Sequence, residues 1–154
     1  FGGTEEVMGT IAPGEVAHGG TYGGNVVGAA AADATLEILE NEPVIETIFE
    51  RGQRLMDGMD EILTDADIPH CLIGLPPIFG LILGVEEEPT DFRAYAKGDA
   101  ALYEELGMEL IDRRVMPDCD GREPWFLSYS HSEEDIAETL TAFEDAVKAV
   151  KHTD

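Results

Sequence analysis

The sequence predicts an α/β fold in which helices pack against strands. Apolar residues recur at helical spacing in four segments, and two short apolar runs read as buried strands, Ile78–Val85 and Trp125–Ser130. Their order, helix–helix–strand–helix–strand–helix, is typical of an α/β layer arrangement. Composition also changes near Glu42–Pro43, where a front rich in glycine and alanine gives way to acidic amphipathic segments. We therefore divide the chain into residues 1–42 and residues 43–154.

The front of the chain predicts two helices. Thr4 is suited to cap a short helix ending at Ala12, because Glu5 and Glu6 favour a helix N-terminus. Pro13 and Gly14 then break that helix. A second helix is predicted from Val26 to Leu39, and the small side chains on one of its faces predict close packing against another element.

The remainder predicts three longer helices around the two strands. Pro43–Ala66 is amphipathic, with an apolar stripe of Val44, Ile48, Leu55, Met59, Ile62 and Leu63. The stretch IPHCLIGLPP is interpreted as an irregular segment that interrupts the chain before the first strand. Asp99–Val115 forms the next helix. Ser132 and Asp135 have the spacing of a capping box at the start of the last helix.

The charge of the chain excludes one class of partner. There are 33 acidic and 9 basic residues, a net charge of -24, so the surface repels phosphate backbones and nucleic-acid binding is not expected. Lysine occurs only at Lys97, Lys148 and Lys151. We interpret this acidic, lysine-poor composition as adaptation to a halophilic cytosol. No signal-peptide pattern or membrane-length apolar run is seen, which predicts a cytoplasmic protein without membrane contact.

One motif raises a functional question: HGGTYGGNVVGAA, His18 to Ala30. Its glycines leave backbone N–H groups unobstructed, Thr21 adds a hydroxyl, and a helix begins just after it. These features suit a phosphate group. The motif matches neither the P-loop nor the dinucleotide-binding pattern. An anion site and a plain turn therefore both remain open.

The other reactive side chains predict structural roles or leave alternatives. Cys71 and Cys119 have no zinc or redox spacing, and His70 and His152 have no ligand partners at suitable spacing, so no metal site is predicted. For His131 we favour a polar contact with the strand end. Glu123 precedes a buried strand. Its carboxylate either lies on the surface without a functional role or points into a cleft.

Two stretches of the sequence resemble the class III aminotransferases, which depend on pyridoxal 5'-phosphate (PLP). The front shares a glycine pair, a short helix ending in Ala-Pro, then Gly-Thr and Gly-Asn before an alanine-rich helix: Gly2, Gly3, Ala12, Pro13, Gly20, Thr21, Gly24 and Asn25. Near the other end, EPWFLSYSHSEEDIAETL resembles the family's Glu, Phe-Leu-Ser and His run before an acidic helix start. RRVMP is similar to a family stretch in which Gly-Val and Pro are usual.

The resemblance implies a fold type I PLP-dependent transferase, of which this chain is the C-terminal part. Residues 1–42 are then the end of the large PLP-binding domain, and residues 43–154 are the small C-terminal α/β domain. The family's cofactor-bonded lysine falls upstream of Phe1, so this chain is expected to be inactive alone.

The resemblance also implies site residues and partners. Thr21, with Gly20 beside it, is expected to bind the phosphate of the PLP held by the partner subunit of a homodimer. Glu123 is expected near the active site, with no assigned proton-transfer role, and the substrate is a small amino compound.

Within the family, the chain is most similar to the aminomutases, which move an amino group within one molecule. It departs from their pattern at His18, at Tyr22-Gly23, where a Leu-Ser-type pair is usual, and at Val26, where proline is usual. Two alternatives therefore stay open. One is an aminotransferase that passes the amino group to a separate keto acid, and the other is a non-catalytic acidic fragment.

Overall fold

The computed structural model describes residues 2–11 and 16–151. The chain divides into two compact units, Phe1–Glu42 and Pro43–Asp154. The predictions for Ala12, Pro13, Gly14 and His152 lie outside the described residues. Among the residues described, no helix is long and apolar enough to cross a membrane.

The first unit contains two helices. Helix α1, Glu5–Met8, is capped by Thr4, as predicted, and its last residue comes earlier than expected. Helix α2, Val26–Asn41, begins where predicted. No residue of α2 is buried, so the expected close packing of its small face is not found in this unit.

The second unit is a three-stranded antiparallel sheet with helices on one face. Its elements are α3 (Val44–Asp65), β1 (His70–Leu75), β2 (Ile78–Leu83), α4 (Phe92–Tyr95), α5 (Ala100–Asp112), β3 (Trp125–Phe126) and α6 (Glu133–Lys151). The strand order is β1-β2-β3. The predicted long helices α3, α5 and α6 are confirmed, and α4 is a short helix that the sequence pattern did not indicate.

The interpretation of IPHCLIGLPP as an irregular segment is wrong, because part of it forms strand β1. Leu75 pairs with Ile78 and His70 with Leu83, so β1 and β2 form a hairpin whose connection is Pro76-Pro77. The two prolines mark a tight turn between two strands rather than an interruption before the first strand. The strand predicted at Trp125–Ser130 is shorter than expected, because only Trp125 and Phe126 pair with β2.

The core lies between the sheet and the helices α3, α5 and α6. Its largest fully buried side chains are Phe79, Phe143, Met59, Leu63, Leu81, Leu83, Leu110 and Val147. Trp125 packs over this core, stacked on Phe79 with ring centroids 6.1 Å apart and edge-on to Phe143 at 6.4 Å. Its indole N–H donates to the Tyr103 hydroxyl at 3.1 Å, so its polar atom is also satisfied.

Candidate functional site

The glycine motif forms a turn that leads directly into α2. The Gly23 N–H donates to the Gly20 carbonyl at 2.9 Å, and the Asn25 N–H donates to the Tyr22 carbonyl at 3.0 Å. Gly24 has a φ of 72°, a left-handed conformation that favours glycine. The motif is therefore a defined structure, and it presents Thr21 at an exposed position of the turn.

The start of α2 is already capped from within the chain. The Asn25 side-chain oxygen accepts hydrogen bonds from the N–H groups of Val27, at 2.9 Å, and Gly28, at 3.1 Å. These are two of the donors that were expected to remain free for an anion. The anion-binding capacity of the motif consequently depends on the Thr21 hydroxyl and the backbone before Asn25, and less on the helix end.

The space around the turn is open. A Cβ placed on Gly19 or Gly20 would meet no atom within 4 Å, and the Thr21 and Tyr22 side chains are exposed. Nothing described in this unit covers the turn. A phosphate-sized anion therefore fits against the Thr21 hydroxyl without displacing a described side chain.

Glu123 lies in the second unit, in the loop that leads into β3. Its side chain is exposed, and its N–H donates to the Asp120 carbonyl at 2.9 Å. The Arg122 guanidinium donates from Nε to both Asp120 carboxylate oxygens, at 2.8 and 3.0 Å. These hydrogen bonds lower the pKa of Asp120 to about 2. Arg122 is therefore hydrogen-bonded to Asp120, and the Glu123 side chain beside it is exposed.

His131 makes the polar contact predicted for it. The Ser128 N–H donates to His131 Nδ1 at 3.0 Å, so the ring closes the turn between β3 and α6. The same side chain lines a cleft of about 360 Å³ with Arg114, Trp125 and Thr139. His70 has a structural place, with its ring nitrogens 2.8 Å from the Ile68 carbonyl and 3.1 Å from an Asp60 carboxylate oxygen.

Arg51 holds the segment before α6 in place, a role that sequence reasoning missed. It donates from Nη1 to the carbonyls of His131, at 2.7 Å, and Tyr129, at 3.2 Å. Its Nε pairs with Glu133 at 3.1 Å. Since Arg51 lies about eighty residues from these partners in sequence, no local spacing pattern could have indicated the contact.

Neither a metal site nor a reactive thiol is found in the described parts of the chain. No group of three or more metal-binding side chains lies together there. Cys71 and Cys119 are free and partly buried, as predicted. Burial, with a further contribution from Glu88, raises the pKa of the Cys71 thiol, which disfavours the reactive thiolate.

Comparison with known proteins identifies similar sequences over nearly the whole chain. A model of the Aminotransferase class-III family matches residues 1–147. The glutamate-1-semialdehyde 2,1-aminomutase of Methanopyrus kandleri is 34% identical over 148 residues, covering 96% of this chain and 34% of that protein. The enzyme of that name from Rhodopirellula baltica is 33% identical over 152 residues, again covering 34% of its length. The chain therefore spans 34% of the length of these two relatives.

Solved structures show the same extent of similarity. A transaminase with PLP bound matches with a TM-score of 0.80 at 22% identity, covering 98% of this chain and 34% of that one. A β-phenylalanine aminotransferase from Variovorax paradoxus gives the same TM-score and identity, and the match covers 35% of its chain. The fold of this chain is therefore the fold of one part of such transaminases.

Proposed function

Because the chain belongs to the class III aminotransferase family, we propose that it is the C-terminal portion of a PLP-dependent enzyme similar to glutamate-1-semialdehyde 2,1-aminomutase. The reaction is the intramolecular transfer of an amino group that gives 5-aminolevulinate. The observation that carries the proposal is the family match over residues 1–147, with relatives of that name at 33–34% identity. The absence of a membrane-spanning helix among the described residues is consistent with a cytoplasmic location.

The two compact units receive separate roles in this proposal. Residues 1–42 are the end of the large PLP-binding domain, and residues 43–154 are the small C-terminal domain. The exposed apolar surface of α2 supports the first role, because a helix with no buried residue needs further chain or a partner to cover it.

Thr21 and Gly20 are the proposed contacts of this chain with the cofactor. When PLP is bound, it supplies an electron sink for the bond changes next to the substrate amino group. The Thr21 hydroxyl donates a hydrogen bond to the cofactor phosphate, and the absence of a side chain on Gly20 lets the phosphate approach the backbone. The open space around both residues supports this fit. The phosphate is that of the partner subunit, so the working enzyme is a homodimer with its active site at the interface.

Glu123 is proposed to lie near the same active site. The Glu123 side chain is exposed, and the neighbouring Arg122 is hydrogen-bonded to Asp120. Both observations support a contact between Glu123 and a group outside the described residues. No proton transfer is assigned to it.

Replacement of Thr21 tests the cofactor site. In the full-length enzyme, Thr21→Ala removes a hydrogen bond to a charged group, about 1.5–3 kcal/mol, so PLP affinity should fall about tenfold to a hundredfold. Dialysis followed by absorbance titration with PLP measures this. Thr35→Ala is the matched control, because the Thr35 hydroxyl bonds only within α2, to the Ala31 carbonyl at 2.8 Å. Equal PLP affinity in both variants would show that the motif is a turn that does not bind the cofactor phosphate.

Intermolecular transamination is the second candidate activity. The sequence differs from the aminomutase pattern at Tyr22-Gly23 and Val26, beside the proposed phosphate contact. These differences favour retaining the aminotransferase as a candidate. The full-length enzyme is incubated with glutamate 1-semialdehyde in the absence of a keto acid, and the expected product is 5-aminolevulinate. No product under these conditions, with turnover restored by an amino acceptor, would select the aminotransferase.

The remaining alternative is that the 154 residues act alone as a non-catalytic acidic fragment. Borohydride treatment of the isolated chain with PLP distinguishes the cases. We expect no specific adduct at Lys97, Lys148 or Lys151, because the family's cofactor lysine is placed upstream of this chain. A stoichiometric adduct at one of these lysines would contradict the assignment of the chain as a C-terminal portion.

A further inference from the structure

The cleft of about 360 Å³ in the second unit is lined by strand β3, the first turns of α6 and the residues that follow α5. We call it the α6 cleft. Its apolar lining includes Leu55 and Ile136, which are buried, and Trp125 and Leu127, which are partly buried. Small-molecule sites have volumes of about 300–1,000 Å³ and combine apolar walls with a few polar groups that fix the ligand. Glu123 does not line this cleft.

Arg114 brings an unpaired cation to the α6 cleft. Its exposed side chain makes no ion pair or hydrogen bond with any residue that the structure describes. The chain has 33 acidic and only 9 basic residues, so an arginine without a carboxylate partner is unexpected. Its φ of 69° also costs conformational free energy that glycine would avoid. Residues held in such a conformation cluster at ligand-binding sites, which indicates that Arg114 serves a ligand.

His131 adds a second donor to the α6 cleft. Its Nδ1 accepts the Ser128 N–H at 3.0 Å, so the proton of the neutral ring lies on Nε2. That Nε2–H makes no hydrogen bond with a described residue and is free to donate to a ligand. A planar guanidinium and an imidazole N–H together suit a carboxylate group, because the guanidinium geometry matches the two carboxylate oxygens.

The other charged groups of the α6 cleft leave one carboxylate without a partner. Arg113 pairs with Glu109. Asp135 accepts hydrogen bonds from the N–H and the hydroxyl of Ser132, both at 2.7 Å. The carboxylate of Glu138 is exposed and has no hydrogen bond or ion pair with a described residue. It is therefore available to an ammonium group in the same cleft.

The balance of these charges selects one class of ligand. We propose that the α6 cleft binds the zwitterion of an α-amino acid with an apolar side chain. Arg114 and His131 hold its carboxylate, and Glu138 holds its ammonium group. The apolar side chain packs against Trp125 and Ile136. A simple anion is a poorer ligand, because Glu138 and the net charge of -24 repel it, and a simple cation leaves Arg114 unpaired. This site goes beyond the proposed function and requires no cofactor.

Titration with three related probes tests the ligand class. L-Leucine, 4-methylpentanoate, which lacks the ammonium group, and 3-methylbutylamine, which lacks the carboxylate, are each titrated into the full-length protein by calorimetry. We expect leucine to bind about tenfold or more tightly than either analogue, because each analogue loses one charge-assisted contact. Equal or tighter binding of either analogue, or no binding of leucine, would overturn the inference.

Two variants with matched controls locate the binding. Arg114→Gly should weaken leucine binding about tenfold or more without lowering Tm, because glycine adopts this φ freely, so unfolding does not explain the loss. Glu138→Gln should weaken leucine binding to a similar extent and should not weaken binding of 4-methylpentanoate. Arg93→Gln and Glu134→Gln are the controls, since both side chains are exposed and neither lines the cleft. Unchanged leucine affinity in Arg114→Gly or in Glu138→Gln would contradict the site.

Absorbance of the cofactor, recorded in the same titrations, separates this inference from the proposed function. Leucine bound in the α6 cleft should leave the PLP absorbance unchanged. Leucine binding that alters this absorbance and keeps its affinity in Arg114→Gly would place the amino acid at the cofactor, which overturns the inference and leaves the function standing. Leucine binding that is lost in Arg114→Gly, in a full-length protein that does not bind PLP, would support the α6 cleft and contradict the function.

Discussion

Arg114 is held in a backbone conformation that suits a different residue. Its φ is 69°, in the left-handed region, directly after the end of α5. In the family stretch that RRVMP resembles, glycine is usual before the valine, and glycine adopts this conformation without steric cost. We expect Arg114→Gly to raise the free energy of unfolding by about 0.5–1 kcal/mol, after allowing for the greater unfolded-state entropy of glycine. Urea denaturation measures the change.

The adjacent arginine provides the control for that substitution. Arg113 has a φ of -94° and pairs with Glu109 one turn earlier in α5. Arg113→Gly therefore gains no relief of strain and loses an ion pair and its packing. It should be neutral or destabilising. If both variants change stability by the same amount, backbone strain at Arg114 is not the cause.

Asp135 gives the start of α6 a defined pH dependence. The Ser132 N–H and hydroxyl both donate to one Asp135 carboxylate oxygen at 2.7 Å, and the Asp135 N–H donates back to the Ser132 hydroxyl at 3.1 Å. These bonds favour the charged form, so the pKa of Asp135 lies below its ordinary value of 3.8. The resulting stabilisation is present above 3.8 and is lost as pH falls through the lower folded-state pKa.

We expect Asp135→Asn to lower Tm at neutral pH and to have a progressively smaller effect as pH falls from 3.8 through the lowered folded-state pKa, below which the wild-type side chain is also protonated. Thermal unfolding followed by circular dichroism across this range checks the prediction. Glu134→Gln controls for the loss of a negative charge in the first turn of α6. A Tm difference between wild type and Asp135→Asn that stays constant with pH would exclude the capping box as its source.

At the scale of elements, the contact between α3 and the β1–β2 hairpin is the tightest constraint in the second unit. Gly52 is buried in α3, and a Cβ on it would lie 2.0 Å from the Pro76 carbonyl oxygen. Gly52→Ala should therefore lower the free energy of unfolding by about 2–3 kcal/mol, despite the better helix propensity of alanine. Chemical denaturation measures it.

Another glycine of α3 shows whether backbone contact is the reason. A Cβ on Gly58 would meet only the end of the Leu140 side chain, at 2.6 Å, and that side chain can change rotamer. Gly58→Ala should be much less destabilising, since helix propensity offsets the repacking by about 1 kcal/mol. Similar losses in both variants would contradict the close approach of α3 to the hairpin.

The long helices and strand β2 were predictable from the sequence, whereas the short helix α4, strand β1 and the extent of β3 were not, for a physical reason. The apolar stripes of α3 and α6 and the caps at Thr4 and Ser132 are local patterns, and the structure contains them. The limits of a strand depend on a partner elsewhere in the chain. β1 was missed because Pro76-Pro77 was interpreted as an end, and β3 was overestimated because only two of its predicted residues meet β2.

The candidate site was predictable only as residue types in a turn. The position of Thr21 in an exposed turn before α2 follows from the glycines around it. The capping of Val27 and Gly28 by Asn25 depends on a side-chain rotamer, which the sequence pattern does not determine. The roles of Gly20, Thr21 and Glu123 remain predictions, because each concerns a group outside the described residues.

At the scale of the whole molecule, the dominant physical property is the net charge of -24. Few of the 33 acidic side chains have a cationic partner, since only 9 basic residues are present, so mutual repulsion favours the more expanded unfolded chain. Salt shortens the range of this repulsion to about 3 Å at 1 M ionic strength. Stability should therefore rise steeply with salt, as the halophilic interpretation of the sequence requires.

Thermal unfolding in low salt and in molar potassium chloride tests this prediction. We expect Tm to be higher in molar salt by about 4 °C or more, corresponding to at least roughly 1 kcal/mol of added stability. The exposed run Glu86, Glu87 and Glu88 offers a matched variant, because replacing all three by glutamine removes three negative charges from a loop outside the core. This variant should be more stable than the wild type in low salt, and the two should converge in molar salt. Equal Tm in both salts would contradict the repulsion argument, because screening acts on every exposed pair of like charges regardless of the fold that carries them.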